Sequence, residues 1–343
     1  MSAPALDVVS SLDGLEALRH DWTDLWRRDP SATPFQSPEW LIPWWKHFGH
    51  EDLLVLTLRR HGTLLGLVPL FISEGAGERV LLPIGCGITD YCDGLFDPSI
   101  GQQGAAIALA YLASENRRWD LCDLQQLRPD SVLLHAPSPS GWVDRRIPQE
   151  PSPVLPIPGT VEALARQLPR RMAANLRYYR RRASKLGRLC AEAAEAETVA
   201  ASLDALVRLH GACWHYRGLP GVLADQAIRR FHEEAAPLLL ARDMLRLYVL
   251  RLDNRTVAAF YGFADRTRTH YYLSGFDPAF AGLSPGTLIV AHAIEQAVRE
   301  RAAEFHFLRG GEDYKYHWGA EDRPSYSRQF RRGGIRSVSL LSP

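Results

Sequence analysis

One order of hydrophobic patterns occurs twice along the chain, once on each side of a proline-rich stretch. Before that stretch, the periodicity predicts a strand at residues 7–10, helices at 12–28 and 38–48, and strands at 53–59, 64–72 and 80–84. A helix at 104–116 and a strand at 119–124 follow. After the stretch come a strand at 189–193, helices at 199–216 and 224–240, and strands at 245–252, 256–264 and 268–274. A helix at 285–301 and a strand at 304–308 close the series. Both halves read β-α-α-β-β-β-α-β. Residue identity between them is slight, so topology repeats while sequence does not, and the chain is expected to hold two copies of one fold.

The three strands before each last helix are close enough in sequence to pair as an antiparallel meander, with Asp253-Asn254 and Asp265-Arg266 as turns in the second half. The helix then returns the chain to a final strand. Because such crossovers are right-handed, that last pairing is parallel. The fold class expected is therefore α/β, two tandem units, each a mixed, mostly antiparallel sheet flanked by helices. Where the meander meets the parallel strand, neighbouring strands can part and offer unpaired backbone to a ligand. Residues 136–159, with Pro137, Pro139, Pro148, Pro151, Pro153, Pro156 and Pro158, are expected to hold no regular element and to separate a domain at 1–150 from one at 160–343. A length of 343 residues fits about two domains at ~150 residues each.

Composition excludes several classes. With 46% hydrophobic and 23% charged residues the chain is neither disordered nor fibrous. Lys+Arg at 40 against Asp+Glu at 39 leaves a net charge of +1, so no global charge argues for DNA or an anionic membrane. The first nine residues lack the basic start and apolar run of a secretory signal. The longest apolar stretch, residues 64–72, is nine residues long and too short to span a bilayer. Five cysteines, with no CxxC and no Cys/His cluster at metal spacing, read as reduced thiols in a cytoplasmic protein without a metal.

Three segments of the second half, YYLSGFDP (271–278), LSPGTL (283–288) and FLRGGEDYKYHWG (307–319), resemble a GNAT acetyltransferase-like family linked to bacterial cellulose and exopolysaccharide biosynthesis. That family is related to the Fem-type peptidoglycan-bridge transferases. PFQSPEW (34–40) and DYCD (90–93) in the first half match the same family. The resemblance implies transfer of an acetyl or other acyl group from acyl-coenzyme A to an amine of a sugar or small metabolite, with the donor in the second half. It departs from the superfamily's phosphate-loop pattern, Q/R-x-x-G-x-G/A, in both halves. Residues 283–288 have leucine in the first and last positions, and residues 101–106 have glycine in the first. Two other readings stand beside it: aminoacyl transfer from charged tRNA, as in the Fem-type relatives, and a catalytically inactive binding subunit of a polysaccharide machine.

The candidate residues follow. Ser284 can cap a helix, Pro285 suits its first turn, and Gly286 lets an anion approach the backbone, so Ser284, Gly286 and Thr287 are the candidate pyrophosphate site. Leu273, Ser274 and Gly275 are the expected backbone against the pantetheine. Residues 282–286 also fit G-x-S-x-G, but Pro285 has no N–H for an oxyanion hole, which excludes a nucleophile elbow. Acyl transfer needs a base for the amine proton and an acid for the leaving thiolate. In the dense segment 309–318, Glu312 is the expected base and Tyr316 the expected acid, with Tyr314 as its rival. Arg309 and Lys315 are candidate substrate contacts. Asp90 is a catalytic candidate, and Tyr91 and Asp93 are candidates for the acceptor, against the alternative of an Asx turn. Trp214 and Tyr272 are candidates for lining its pocket. Residues 166–188 hold nine Lys/Arg and no acid around Tyr178 and Tyr179, a local basic patch suited to a coenzyme A phosphate, an acidic acceptor, tRNA or simple solvation.

Overall fold

The computed structural model describes residues 3–49, 52–75, 77–115 and 117–332. Asn116, the last residue of the helix expected at 104–116, lies outside them, as do residues 333–343. The chain forms two compact units. One is Met1–Gln149 with the C-terminal segment that begins at Pro324, and the other is Glu150–Arg323.

In the first unit the order is β1 (Ala5–Val9), α1 (Leu12–Ala17), α2 (Arg19–Arg28), α3 (Pro38–Phe48), β2 (Asp52–Arg60), β3 (Thr63–Gly75), β4 (Glu78–Pro83), β5 (Leu95–Phe96), α4 (Gly101–Ser114), β6 (Leu121–Leu127), α5 (Val132–His135) and the start of β7 (Trp142–Pro156). Strands β1 to β4 pair antiparallel in sequence order. β6 then joins β4 in parallel, with Val80 opposite Leu121. The helix read at 12–28 is two helices. Leu15, Leu18, Trp22 and Leu25 stay buried through the break, so the 3.6-residue period runs across it and hides it from the sequence.

The second unit takes the end of β7, then α6 (Val161–Gln167), α7 (Arg170–Ser184), β8 (Leu189–Ala193), α8 (Val199–Tyr216), α9 (Gln226–Ala241), β9 (Leu245–Leu252), β10 (Arg255–Ala264), β11 (Arg268–Phe276), α10 (Pro285–Arg299), β12 (Glu304–His306) and α11 (Asp313–Tyr316). Its strand order is β7-β12-β11-β10-β9-β8, with β11–β12 parallel and the other pairs antiparallel. Alternation along the strands fills two layers. Tyr248, Leu250, Phe260 and Tyr271 face the apolar sides of α10, α7 and α6 in one core. On the opposite face, α8 and α9 cover the sheet, and the Tyr261 hydroxyl meets His232 of α9 at 3.3 Å.

Residues 136–159 were expected to be irregular, and the structure corrects this: Trp142–Pro156 is a strand. Proline cannot donate to a ladder, but an extended backbone accommodates its φ. Here the neighbours use carbonyls: Phe307 N donates to Pro153 O at 2.8 Å and Gly310 N to Pro151 O at 3.0 Å. The sequence reading also passed over β13 (Glu321–Arg332), whose charged residues mask a strand pattern. Its Arg328 side chain is fully buried and ion-paired to Asp144 at 2.7 Å, and Phe330 lies opposite Cys122 of β6. The last core strand is shorter than expected, ending at His306, because Leu308 takes φ +58 and turns the chain.

Candidate active site

The expected parting of strands occurs in the second unit. β11 and β12 pair only through Arg268–His270 and Glu304–His306. Beyond that point the chain after β12 follows β7 through the Phe307 and Gly310 amides. β11 meanwhile carries a bulge: Leu273 lies opposite Tyr261 and Tyr271 opposite Gly262, which leaves Tyr272 as the extra residue. A Cβ at Gly262 would sit 2.3 Å from His270 O, so the bulge requires glycine on the facing strand. Past the bulge, α8 lies directly on β11, where a Cβ at Gly275 would be 2.2 Å from His210 N.

The bulge separates two tyrosines. Tyr272 turns its ring to His232, Tyr261 and Phe263 beside α9 and is half-buried there. Tyr271 lies on the other face, its hydroxyl 2.5 Å from Ser274 Oγ and its ring beside that of Tyr314. Burial pushes both phenols up from the ordinary tyrosine value, and nearby Tyr271 and Glu312 push Tyr314 up further. Although 42% of Tyr314 is exposed, its ring packs at 6.3 Å from Tyr271 and 6.4 Å from Phe307. Tyr316 points elsewhere and donates to Asp322 Oδ1 at 2.7 Å. The C-terminal end of α8 completes the surroundings. Burial raises the Cys213 thiol, and the Arg217 guanidinium lies 5.4 Å over the Trp214 ring. Sequence reasoning assigns no site role to Tyr271 or Cys213, whereas Arg217 lies in the segment 214–218 that it marks as a candidate pocket wall. The paired tyrosines at 271–272 were the one signal for the first.

Lys315 is placed differently from a substrate contact. Its ammonium is buried and donates to Leu308 O (3.1 Å), Arg309 O (2.8 Å) and Gly310 O (3.0 Å), and pairs with Glu312 at 2.9 Å. The three carbonyls alone match its three hydrogens and hold the turn in which Leu308 and Gly310 have positive φ. Lys315→Met strands three carbonyls and is expected to cost about 3 kcal/mol, read as a lower urea midpoint. Glu312, whose side chain is 59% exposed, should lose under about 1 kcal/mol on change to Gln. Equal midpoints for Lys315→Met and wild type would overturn this role.

The candidate phosphate loop opens α10. Ser284 is its N-cap at φ +49, ψ +53, makes no side-chain cap bond, and shares a 2.9 Å hydrogen bond with Thr287 Oγ1. With Pro285 lacking an N–H, the first-turn amides of Gly286 and Thr287 have no side-chain cap and are available to an anion.

In the first unit, the two motifs there form one packed element. The Gln36 side-chain amide donates to Tyr91 O, and Trp40 Nε1 donates to Thr89 Oγ1 at 2.8 Å. Asp90, Tyr91 and Asp93 are all buried, and Tyr91 has φ +54 with Arg128 over its ring. Burial raises Asp93 to about 6 in spite of Arg128 and Ser131. These contacts hold the loop in its buried conformation. Among the described residues, no group of three or more His, Cys, Asp or Glu is placed to hold a metal ion. No helix among them is long and apolar enough to cross a membrane.

A mixed, mostly antiparallel sheet flanked by helices, with a bulged strand parting from its parallel neighbour, defines an α/β fold of the GNAT type. Residues 170–316 match the family model of the Acetyltransferase (GNAT) domain. Among solved structures, FemX superposes with TM-score 0.68 at 10% identity, over 92% of this chain and 96% of FemX. L-PGS from Bacillus licheniformis gives 0.57 at 11% identity, over 90% of each chain. No curated protein matches the chain in sequence.

Proposed function

We propose that the second unit transfers an acyl group from an acyl-coenzyme A to an amine of a sugar or other small metabolite. The observation that carries this reading is the parting of β11 from β12 beside a helix whose first-turn amides have no side-chain cap. Leu273 to Gly275 would lie along the pantetheine, and Ser284, Gly286 and Thr287 around the pyrophosphate. The amine nitrogen attacks the thioester carbonyl, Glu312 takes the amine proton, the C–S bond breaks, and Tyr314 gives its proton to the leaving thiolate. Tyr314 is preferred to Tyr316 because its ring packs against Tyr271 on the bulged strand, whereas the Tyr316 hydroxyl is committed to Asp322. The choice of a sugar amine rests on the family resemblance alone.

A second reading, aminoacyl transfer from charged tRNA, is favoured by the basic, solvent-facing side of α7 and by the likeness of fold to FemX over most of both chains. Calorimetric titration with acetyl-coenzyme A separates the two. Gly286→Val is expected to weaken that binding at least about tenfold. A Cβ at this position meets Phe276 Cδ1 at 3.2 Å, so the variant should also lose about 1–3 kcal/mol yet remain folded. Undiminished binding by the folded variant would remove this loop as the donor's phosphate site.

A further inference from the structure

Helix α7 buries a narrow stripe of Met172, Leu176 and Ala183 and leaves its arginines to solvent, with no acidic residue of its own. Two contacts fix it against the candidate phosphate loop. Arg180 pairs with Glu295 of α10 at 2.6 Å. Arg182 lies at the short turn Pro278–Leu283 that leads into α10: its Nη2 would be 3.5 Å from a Cβ on Gly282. The Nη1 of the same guanidinium donates to Tyr178 Oη at 3.0 Å, one helical turn back. Among the described residues no carboxylate pairs with Arg182. One cation is thus oriented by a phenol and seated at the entry to α10, with most of its N–H donors uncommitted.

An arginine held in this way suits a phosphate, which its planar fork can engage through two parallel hydrogen bonds. The donor proposed above carries, besides the pyrophosphate, one more phosphate, on the 3′-oxygen of its adenosine and one ribose away. We propose that Arg182, oriented by Tyr178, binds this 3′-phosphate, an inference that rests on the acyl-coenzyme A reading of the site. The remaining arginines of α7 then act as a general positive field and not as ligands.

The test is calorimetric titration of the full chain with acetyl-coenzyme A and with its 3′-dephospho form. Wild type is expected to prefer the phosphorylated donor at least about tenfold, the scale of a charge-assisted hydrogen bond. Arg182→Gln should bind the two donors equally, at the affinity wild type shows for the dephospho form. Arg171→Gln removes a charge from the same helix about 16 Å away along its axis and should keep the preference. Equal binding of both donors by wild type, or a preference that survives Arg182→Gln, overturns the assignment while leaving the donor reading intact. Binding of neither donor overturns both. A salt-sensitive gel shift with charged tRNA that Arg182→Gln abolishes, in a protein that binds neither donor, gives the helix to RNA instead.

Discussion

Acidification should unfold the second unit well above the pH at which its carboxylates titrate. His210 and His232 are almost wholly buried, and burial lowers them to about 4 and about 3 from an ordinary value of 6.5. Burial also lowers His270 to about 4, against the opposing pull of Asp265 at 2.9 Å. The folded state therefore favours neutral imidazoles, and the unfolded chain takes up protons first as pH falls. The stability is fully present above pH 6.5, drains away below it, and stops falling only at the folded values. At about 1.4 kcal/mol per pH unit for each group, His210 and His232 together remove roughly 5 kcal/mol by pH 4.5. That is comparable with the whole stability of an ordinary domain. Urea midpoints measured from pH 8 to pH 4.5 should hold steady at first and then drop steeply below 6.5. A flat profile down to pH 5 would show that these histidines are not held neutral.

Tyr314→Phe should lower turnover by about 10²–10⁴, the usual cost of losing a positioned proton donor, with acetyl-coenzyme A affinity nearly unchanged. Tyr316→Phe should stay close to wild type, because its hydroxyl is spent on Asp322. The two phenols also separate by pH. Burial and the neighbouring Tyr271 and Glu312 keep Tyr314 protonated beyond the ordinary tyrosine value of 10, so wild-type turnover should show no alkaline fall up to pH 10. Glu312→Gln, which removes the proposed base, should likewise lower turnover with donor affinity nearly unchanged. Near-normal turnover in Tyr314→Phe together with a large loss in Tyr316→Phe would reverse the assignment. Full activity in both, once an acceptor is known, would overturn the assignment of the acid to this segment.

Much of the second unit was legible because its signals are local. The meander 245–276 shows as apolar runs broken by turn pairs, the helix at 285 announces itself with Ser284-Pro285-Gly286, and a helical crossover makes the following strand parallel. Strand β7 was not legible, since its prolines remove donors that its neighbours never ask for. Nor was β13, where Arg328 reads as a surface charge until Asp144, distant in sequence, is brought to it.

The crowded segment 309–318 could be recognised as chemistry from its residues, but their separate tasks could not. Successive residues of a helix are turned by about 100°, so Tyr314, Lys315 and Tyr316 point in three directions whatever their composition. Their order along the chain leaves open which direction meets the bulged strand. Only the packing of α11 against Tyr271 and Phe307, fixed when the Lys315 ammonium gathers the carbonyls of residues 308–310, turns Tyr314 toward the parted strands and Tyr316 toward Asp322.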